Sequence, residues 1–148
     1  MTRDELTRKI LAAKRDKGLS WKMIVADIGG GSAVYLTAAL MGQMKLRPEQ
    51  AERAAKLFEL DDDEKHLLQE IPYRGSLPSV VPTDPLIYRF YELVQVYGTT
   101  WKELIQEEFG DGIMSAIDFD MMIERQPDPK GDRVKLTLSG KFLPYREY

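Results

Sequence analysis

The chain has 148 residues, 43% of them hydrophobic and 30% charged, an ordinary composition for one globular domain or two small ones. Its formal net charge of −3 provides no overall attraction to nucleic acid or to an anionic membrane. It contains no cysteine, which excludes disulfides, thiolate nucleophiles and zinc–thiolate sites and is compatible with a reducing compartment. With neither a visible signal peptide nor an apolar run of membrane-spanning length, we expect a cytoplasmic protein.

Five helices are predicted in the first half of the chain. Thr2 and Glu5 have the T-x-x-E spacing of a capping box, and Leu6 and Ile10 begin an apolar face. Four further segments follow with helical composition and start signals, including Ser20 as a cap and Pro48 in a first turn: WKMIVADI, SAVYLTAALMG, RPEQAERAAKLFEL and DDDEKHLLQE. We therefore predict a helical bundle over residues 1–75.

The outline of this bundle resembles a DNA-binding helix-turn-helix domain, because a glycine turn at residues 29–31 separates two short helices. A recognition helix needs Arg, Lys, Asn or Gln at its exposed start. No charged residue occurs between Gly29 and Met44, and Gln43 is the only amide there. The pattern favours a structural bundle with a buried third helix over a DNA-binding domain.

The glycine run and His66 are weak candidates for a nucleotide site and a metal site. The glycine run lacks both the G-x-G-x-x-G spacing and the lysine of a P-loop, and it follows a helix pattern rather than a strand. His66 is the only histidine, and without cysteine it is an improbable metal ligand, so we expect it at the surface or at a helix end.

The proline-rich linker IPYRGSLPSVVPTDP is the natural domain boundary, and it leads into a second domain predicted over residues 76–148. Asp84 can cap a helix with Pro85 at its first position, and Gly98 is placed to end it. Thr100 and Glu103 have the spacing of a second capping box, which predicts a separate helix over TTWKELIQEEF.

The end of the chain has the alternation of a β-hairpin around the turn QPDPKGD. Apolar residues alternate with polar ones on each side of that turn, at Phe119, Met121 and Ile123 and then at Val134, Leu136 and Leu138. Two strands alone are marginally stable, so the hairpin must pack on a helix or on another chain. The predicted fold class is α+β, mainly α.

Arg89 and Glu92 are the only charged residues between Asp84 and Gly98, and their spacing places them on one face of a helix. Most other residues there are aliphatic or aromatic, which predicts a helix covered on several sides, in part by other subunits. The pair has two interpretations. It is an ion pair that holds an interface together, or it is an anion site in which Arg89 binds the anion and Glu92 orients Arg89 or manages protons.

The segment GDGIMSAIDF adds a possible contribution to an anion site. Its glycines can supply backbone N–H groups, and Ser115 can supply a hydroxyl. No histidine or lysine stands in a recognisable motif with Ser115, so a nucleophilic role is poorly supported.

The stretch PTDPLIYRFYELVQVYGTTWKELIQEEFGDGIMSAIDF and the tail GKFLPY resemble the cyanases, also called cyanate hydratases or cyanate lyases. The similarity covers nearly the whole chain and includes TAALMGQ in the more divergent helical half. Mild departures occur at Leu86, Ile87 and Asp118 and in the hairpin turn. The resemblance implies an N-terminal helix-turn-helix-like bundle that does not bind DNA, followed by an intertwined dimerisation domain of helices and a β-hairpin.

The resemblance also implies an activity and a set of site residues. Cyanate would react with bicarbonate to give carbamate and carbon dioxide, and carbamate would then release ammonia and a second carbon dioxide. The family's catalytic residues fall on Arg89, Glu92 and Ser115. Substrate contacts are further expected from Ile113, Ala116 and Leu143. The implied enzyme uses no metal or organic cofactor and assembles as a homodecamer, a pentamer of dimers, with sites between chains and with no nucleic-acid or membrane partner.

Overall fold

The structure is a computed structural model that describes all 148 residues, and these fall into two compact units, Met1–Ser76 and Leu77–Tyr148. The first unit is all-helical, and the second combines one long helix with a two-stranded antiparallel sheet. The elements in chain order are α1 Arg3–Asp16, α2 Trp21–Ile28, α3 Ala33–Leu40, α4 Pro48–Phe58, α5 Asp62–Leu67, α6 Pro85–Phe109, β1 Gly112–Gln126 and β2 Arg133–Pro144. The predicted α+β, mainly α class is confirmed.

The helix starts predicted for the first unit are confirmed by their capping hydrogen bonds. Thr2 and Glu5 form the full capping box, with the Thr2 hydroxyl accepting from the Glu5 N–H at 3.2 Å and the Glu5 carboxylate accepting from the Thr2 N–H at 2.6 Å. Ser20 caps α2, and Pro48 occupies the first turn of α4. The short polar side chains of Thr2 and Ser20 satisfy N–H groups that have no partner inside the helix.

The core of the first unit is built from aliphatic residues of α1 to α4, from Leu46 and Leu68 outside the helices, and from Phe58. The third helix, predicted to be buried, is buried on one side only: α3 contributes Leu36, Ala39 and Leu40 to the core, whereas Tyr35 is exposed. No single helix of the chain is both long and apolar enough to cross a membrane, and the consecutive pair with enough combined length, α2 and α3, is bent by 99°. The core residues are Leu6, Ile10, Ile24, Ile28, Leu36, Ala39, Leu40, Leu46, Ala51, Ala54, Phe58 and Leu68.

The glycine turn after α2 has a structural role. The Gln50 side-chain amide donates to the Gly29 and Gly30 carbonyls at 3.4 and 3.2 Å, and Arg53 donates to the Ile28 carbonyl at 2.9 Å. Gly29 and Gly30 have φ values of 66° and 72°, a region that side chains disfavour. These hydrogen bonds join the end of α2 to α4.

Arg3 ties three segments of the first unit together. Its guanidinium donates to the carbonyls of Ala39 at 2.8 Å, Met44 at 3.1 Å and Leu67 at 2.5 Å. Burial lowers the pKa of Arg3 from its usual value, and the nearby Glu70 carboxylate opposes this shift. One planar cation therefore satisfies carbonyls at the ends of α3 and α5 and in the segment that follows α3.

The second unit begins with α6, a single helix of 25 residues. The Asp84 carboxylate accepts from the N–H groups of Leu86 and Ile87, as expected for a cap followed by proline. The prediction of two helices separated at Gly98 is wrong, because the helix passes through that residue without a break. A glycine inside a helix costs only about 1 kcal/mol, and residues on both sides favour continuation.

The hairpin is confirmed and is longer than the sequence indicates. Its strands pair from Gly112 with Pro144 to Gln126 with Arg133, and the register shifts between Met114 and Phe119. Beyond that shift the pairs alternate in polarity, so that Met121–Leu138 and Ile123–Leu136 share one apolar face.

Most of the second unit is uncovered within one chain. No residue of α6 is buried, and Ser115 is the only buried residue of either strand. Large side chains such as Ile117 and Val134 are 97% and 77% exposed. An apolar helix and a two-stranded sheet with these exposures need further protein to cover them.

We expect Arg3→Ala to weaken the first unit, because three carbonyls would lose a charged donor, at a cost of about 2–3 kcal/mol. Hydrogen–deuterium exchange of peptides from α3 and α5, read by mass spectrometry in the assembled protein, measures this locally. Arg8→Ala is the matched control, since Arg8 is an exposed arginine of the same helix. Equal exchange in the two variants would contradict the role assigned to Arg3.

Candidate active site

Arg89 and Glu92 lie at the start of α6, where their three-residue spacing brings them together as predicted. Arg89 Nη1 is 2.9 Å from Glu92 Oε2, and this is the one hydrogen bond of the Arg89 side chain within the chain. The side chains are 66% and 44% exposed. An exposed ion pair contributes little to stability, so the pair is not explained by the folding of a single chain.

The surroundings of this pair are apolar or aromatic. Tyr88 and Tyr91 flank Arg89 on the helix, with ring centroids 5.8 Å apart, and Gln95 donates to the Tyr91 hydroxyl at 3.0 Å. Phe90 is also exposed on this helix. Once a neighbouring chain covers such a surface, Arg89 loses water and retains several guanidinium N–H groups that Glu92 does not use.

Ser115 lies in an irregular part of β1. Between the pairs Met114–Phe142 and Phe119–Gly140, four residues of β1 stand opposite one residue of β2, which makes a large β-bulge. The Ser115 hydroxyl oxygen accepts from the N–H groups of Ile117 at 3.0 Å and of Asp118 at 2.9 Å.

These hydrogen bonds limit the chemistry of Ser115. A serine hydroxyl has two lone pairs and one proton, and both lone pairs are engaged by backbone donors. Only the hydroxyl proton is available to a ligand, so the Ser115 hydroxyl can act toward that ligand as a hydrogen-bond donor. Two accepted N–H bonds make the hydroxyl a better donor and a poorer nucleophile.

A single chain does not join Arg89 to Ser115. Helix α6 continues about twenty residues beyond Arg89, a rise of about 30 Å, before Phe109 stacks on Phe142 of the hairpin at 5.2 Å. Arg89 and Ser115 share no hydrogen-bond partner.

The three further residues expected to contact substrate are grouped around the bulge. Ile113 and Leu143 are paired across the strands and are 51% and 41% exposed, and Ala116 follows Ser115 directly and is exposed. The structure thus places these residues beside Ser115, and their contact with substrate stays a prediction.

Neither of two surface pockets contains these groups. One lies at the hairpin tip between Arg125 and Asp132, and the other lies in the first unit between Met1 and His66. No three His, Cys, Asp or Glu side chains are grouped so that they could hold a metal ion. His66 is exposed, as expected, with Nδ1 2.7 Å from the Asp62 carbonyl oxygen.

The bulge itself was missed by the sequence analysis. Its signal is Gly140, a lone glycine inside an otherwise alternating strand, which is typical of a bulge or of a close backbone approach. The sequence contains no indication that this glycine packs against the backbone of Ser115, 25 positions earlier.

Comparisons with known proteins cover both units. The family model "Cyanate hydratase, N-terminal" matches residues 3–72, and "Cyanate lyase C-terminal domain" matches residues 79–147. The chain is 61% identical to the cyanate hydratase of Methylibium petroleiphilum and 60% identical to that of Albidiferax ferrireducens, in each case over 148 residues and 100% of both chains. It is also similar to the crystal structure of cyanase from T. urticae, with 37% identity and a TM-score of 0.79 over 94% of this chain and 96% of that one.

Proposed function

Because this chain belongs to the cyanate hydratase (cyanase) family over its whole length, we propose that it joins cyanate to bicarbonate at a site containing Arg89, Glu92 and Ser115. Its activity is the decomposition of cyanate, a carbon–nitrogen lyase reaction. The observation that carries the proposal is the Arg89–Glu92 pair, exposed on an apolar helix that other subunits must cover.

In the proposed reaction a bicarbonate oxygen attacks the cyanate carbon and forms a new carbon–oxygen bond. The resulting adduct is a dianion. Cleavage of the bond between that oxygen and the original bicarbonate carbon releases carbon dioxide, and the nitrogen gains the bicarbonate proton and one further proton. Carbamate leaves and breaks down, with uptake of another proton, to ammonia and a second carbon dioxide.

The main obstacle to this reaction is electrostatic. Two unit anions 4 Å apart repel by about 4 kcal/mol at an effective dielectric constant of about 20, compared with about 1 kcal/mol in water. A fixed positive charge removes this cost and stabilises the dianion as it forms. Arg89 supplies that charge, and its planar guanidinium matches a carboxylate-like edge with two parallel hydrogen bonds.

Glu92 and Ser115 complete the proposed machinery. The 2.9 Å contact from Glu92 fixes the guanidinium of Arg89 on one side, so the remaining N–H groups point in a defined direction. The Glu92 carboxylate is also the nearest group to Arg89 that can relay a proton. Ser115 donates its free hydroxyl proton to an oxygen of the dianion. Orientation and electrostatics then carry the reaction without a covalent intermediate, a metal or an organic cofactor.

The site is proposed to lie between subunits of a homo-oligomer. Membership of the family supports a homo-oligomeric enzyme that acts on small anions. We propose that the oligomer is a decamer built as a pentamer of dimers and that it works in the cytoplasm. The absence of buried residues in α6 and the separation of Arg89 from Ser115 within a chain support an interfacial site.

Ammonia release from cyanate should require bicarbonate, because bicarbonate is a substrate in this scheme. Assays in buffer freed of carbon dioxide should show little ammonia until bicarbonate is added. Oxalate, a small dianion that resembles the adduct in charge, should compete with the substrates. Ammonia production at an unchanged rate without bicarbonate would contradict the mechanism.

Arg89→Lys should lower kcat/KM by about 10²–10³-fold while the oligomer stays assembled, because the charge survives but the paired donor geometry is lost. Arg125→Lys is the matched control, since Arg125 also makes an exposed 2.9 Å ion pair, with Asp132 at the hairpin tip. Its activity should equal that of the parent. Near-parent turnover of Arg89→Lys would show that the Arg89–Glu92 pair is only an interface contact.

A further inference from the structure

The bulge that contains Ser115 is closed on one side by Gly140. The regular ladder resumes at the pair Phe119–Gly140, so Gly140 is the first residue of β2 beyond the bulge. A Cβ atom built on Gly140 would lie closer to the Ser115 carbonyl oxygen than the sum of their van der Waals radii allows, and 2.5 Å from Met114 Cγ. The backbone of residue 140 therefore packs directly on the backbone of Ser115.

Glycine is required at position 140 because there is no space for a Cβ atom, and not because of its backbone angles. Gly140 is not among the glycines with positive φ, so an alanine could adopt its backbone angles. The methionine side chain could move away from an added methyl group, because it is unbranched and flexible. The Ser115 carbonyl belongs to the main chain and could move only if residue 115 moved as well.

The position of residue 115 determines where its hydroxyl points. Ser115 is 5% exposed, although the residues that follow it in the bulge are exposed. Its hydroxyl is held by the N–H groups of Ile117 and Asp118, so a shift of its backbone would strain both hydrogen bonds.

We propose that Gly140 is a positioning residue for Ser115. Because Gly140 has no side chain, the bulge can hold the Ser115 hydroxyl in the orientation in which it donates to the dianion. This inference rests on the donor role given to Ser115 in the proposed function. It adds that the small residue on the opposite strand is required for catalysis and not only for folding of the hairpin. A displacement of about 1 Å in a positioned group can lower a rate by about 10²-fold.

Four variants test this in the assembled enzyme: Gly140→Ala, Ser115→Ala, the double variant and Gly131→Ala. We expect Gly140→Ala to lower kcat at least about tenfold with a smaller change in KM. The double variant should be no slower than Ser115→Ala, because the effect of Gly140 passes through Ser115.

Gly131→Ala is the matched control. Gly131 lies in the turn of the same hairpin at φ 124°, with no atom within 4 Å of an added Cβ, so the substitution strains the hairpin without touching Ser115. Parent-like kcat is expected. A loss equal to that of Gly140→Ala would assign Gly140 to general hairpin stability and overturn the inference.

The remaining outcomes separate this inference from the proposed function. If Ser115→Ala is slow but Gly140→Ala matches the parent, the positioning role is wrong and the proposed function stands. If the two losses of kcat multiply in the double variant, the positioning role is also wrong, because Gly140 would then act independently of Ser115. Parent-like activity of Ser115→Ala removes the donor role and the inference together.

Hydrogen–deuterium exchange of the peptide covering residues 115–119 gives a second readout, valid even where assembly is weakened. Faster exchange is expected in Gly140→Ala than in Gly131→Ala, because the N–H groups of Ile117 and Asp118 would lose their acceptor. Unchanged exchange at this peptide in Gly140→Ala would show that the bulge tolerates a side chain, which overturns the inference.

Discussion

Helix α6 has no residue buried by its own chain, and the site that we propose depends on that constraint. The helix is continuous over 25 residues, has no buried residue, and meets the hairpin near Phe109, far from Arg89. Apolar and aromatic side chains along such a helix are stable only when other protein removes them from water. In the oligomer that we propose, association of subunits would supply both the missing core of the second unit and a dry environment around Arg89.

A dry environment changes the strength of the electrostatic interactions that the Arg89–Glu92 pair makes. In one exposed chain the pair contributes little, because water screens both charges. In the site that we propose between subunits, the same arginine would be a strong and fixed positive charge, which is what two reacting anions need. The helical bundle of the first unit is, by contrast, self-sufficient, with its own aliphatic core, the Arg3 contacts and a fastened glycine turn.

Local features were predictable from sequence, and long-range ones were not. Caps such as Thr2 and Asp84 act within one turn of their own helix, so their signals are complete in a few residues. The break expected at Gly98 failed because a single glycine is a weak local penalty that a long helix tolerates. The spacing of Arg89 and Glu92 predicted their contact. The approach of Gly140 to Ser115 depends on strand register. In the site that we propose, the relation of Ser115 to Arg89 depends on other chains.

The central claim, that one site draws on more than one chain, is tested most directly by mixing two inactive variants. Arg89→Ala and Ser115→Ala are unfolded, combined in equal amounts and refolded together, and cyanate-dependent ammonia release is measured beside each variant refolded alone. With Arg89 and Ser115 from different subunits, a fraction of the mixed interfaces contains both intact residues, so the mixture regains activity while the single variants stay inactive. An assembled mixture without any recovered activity, or a fully active monomer verified by light scattering, would contradict the account.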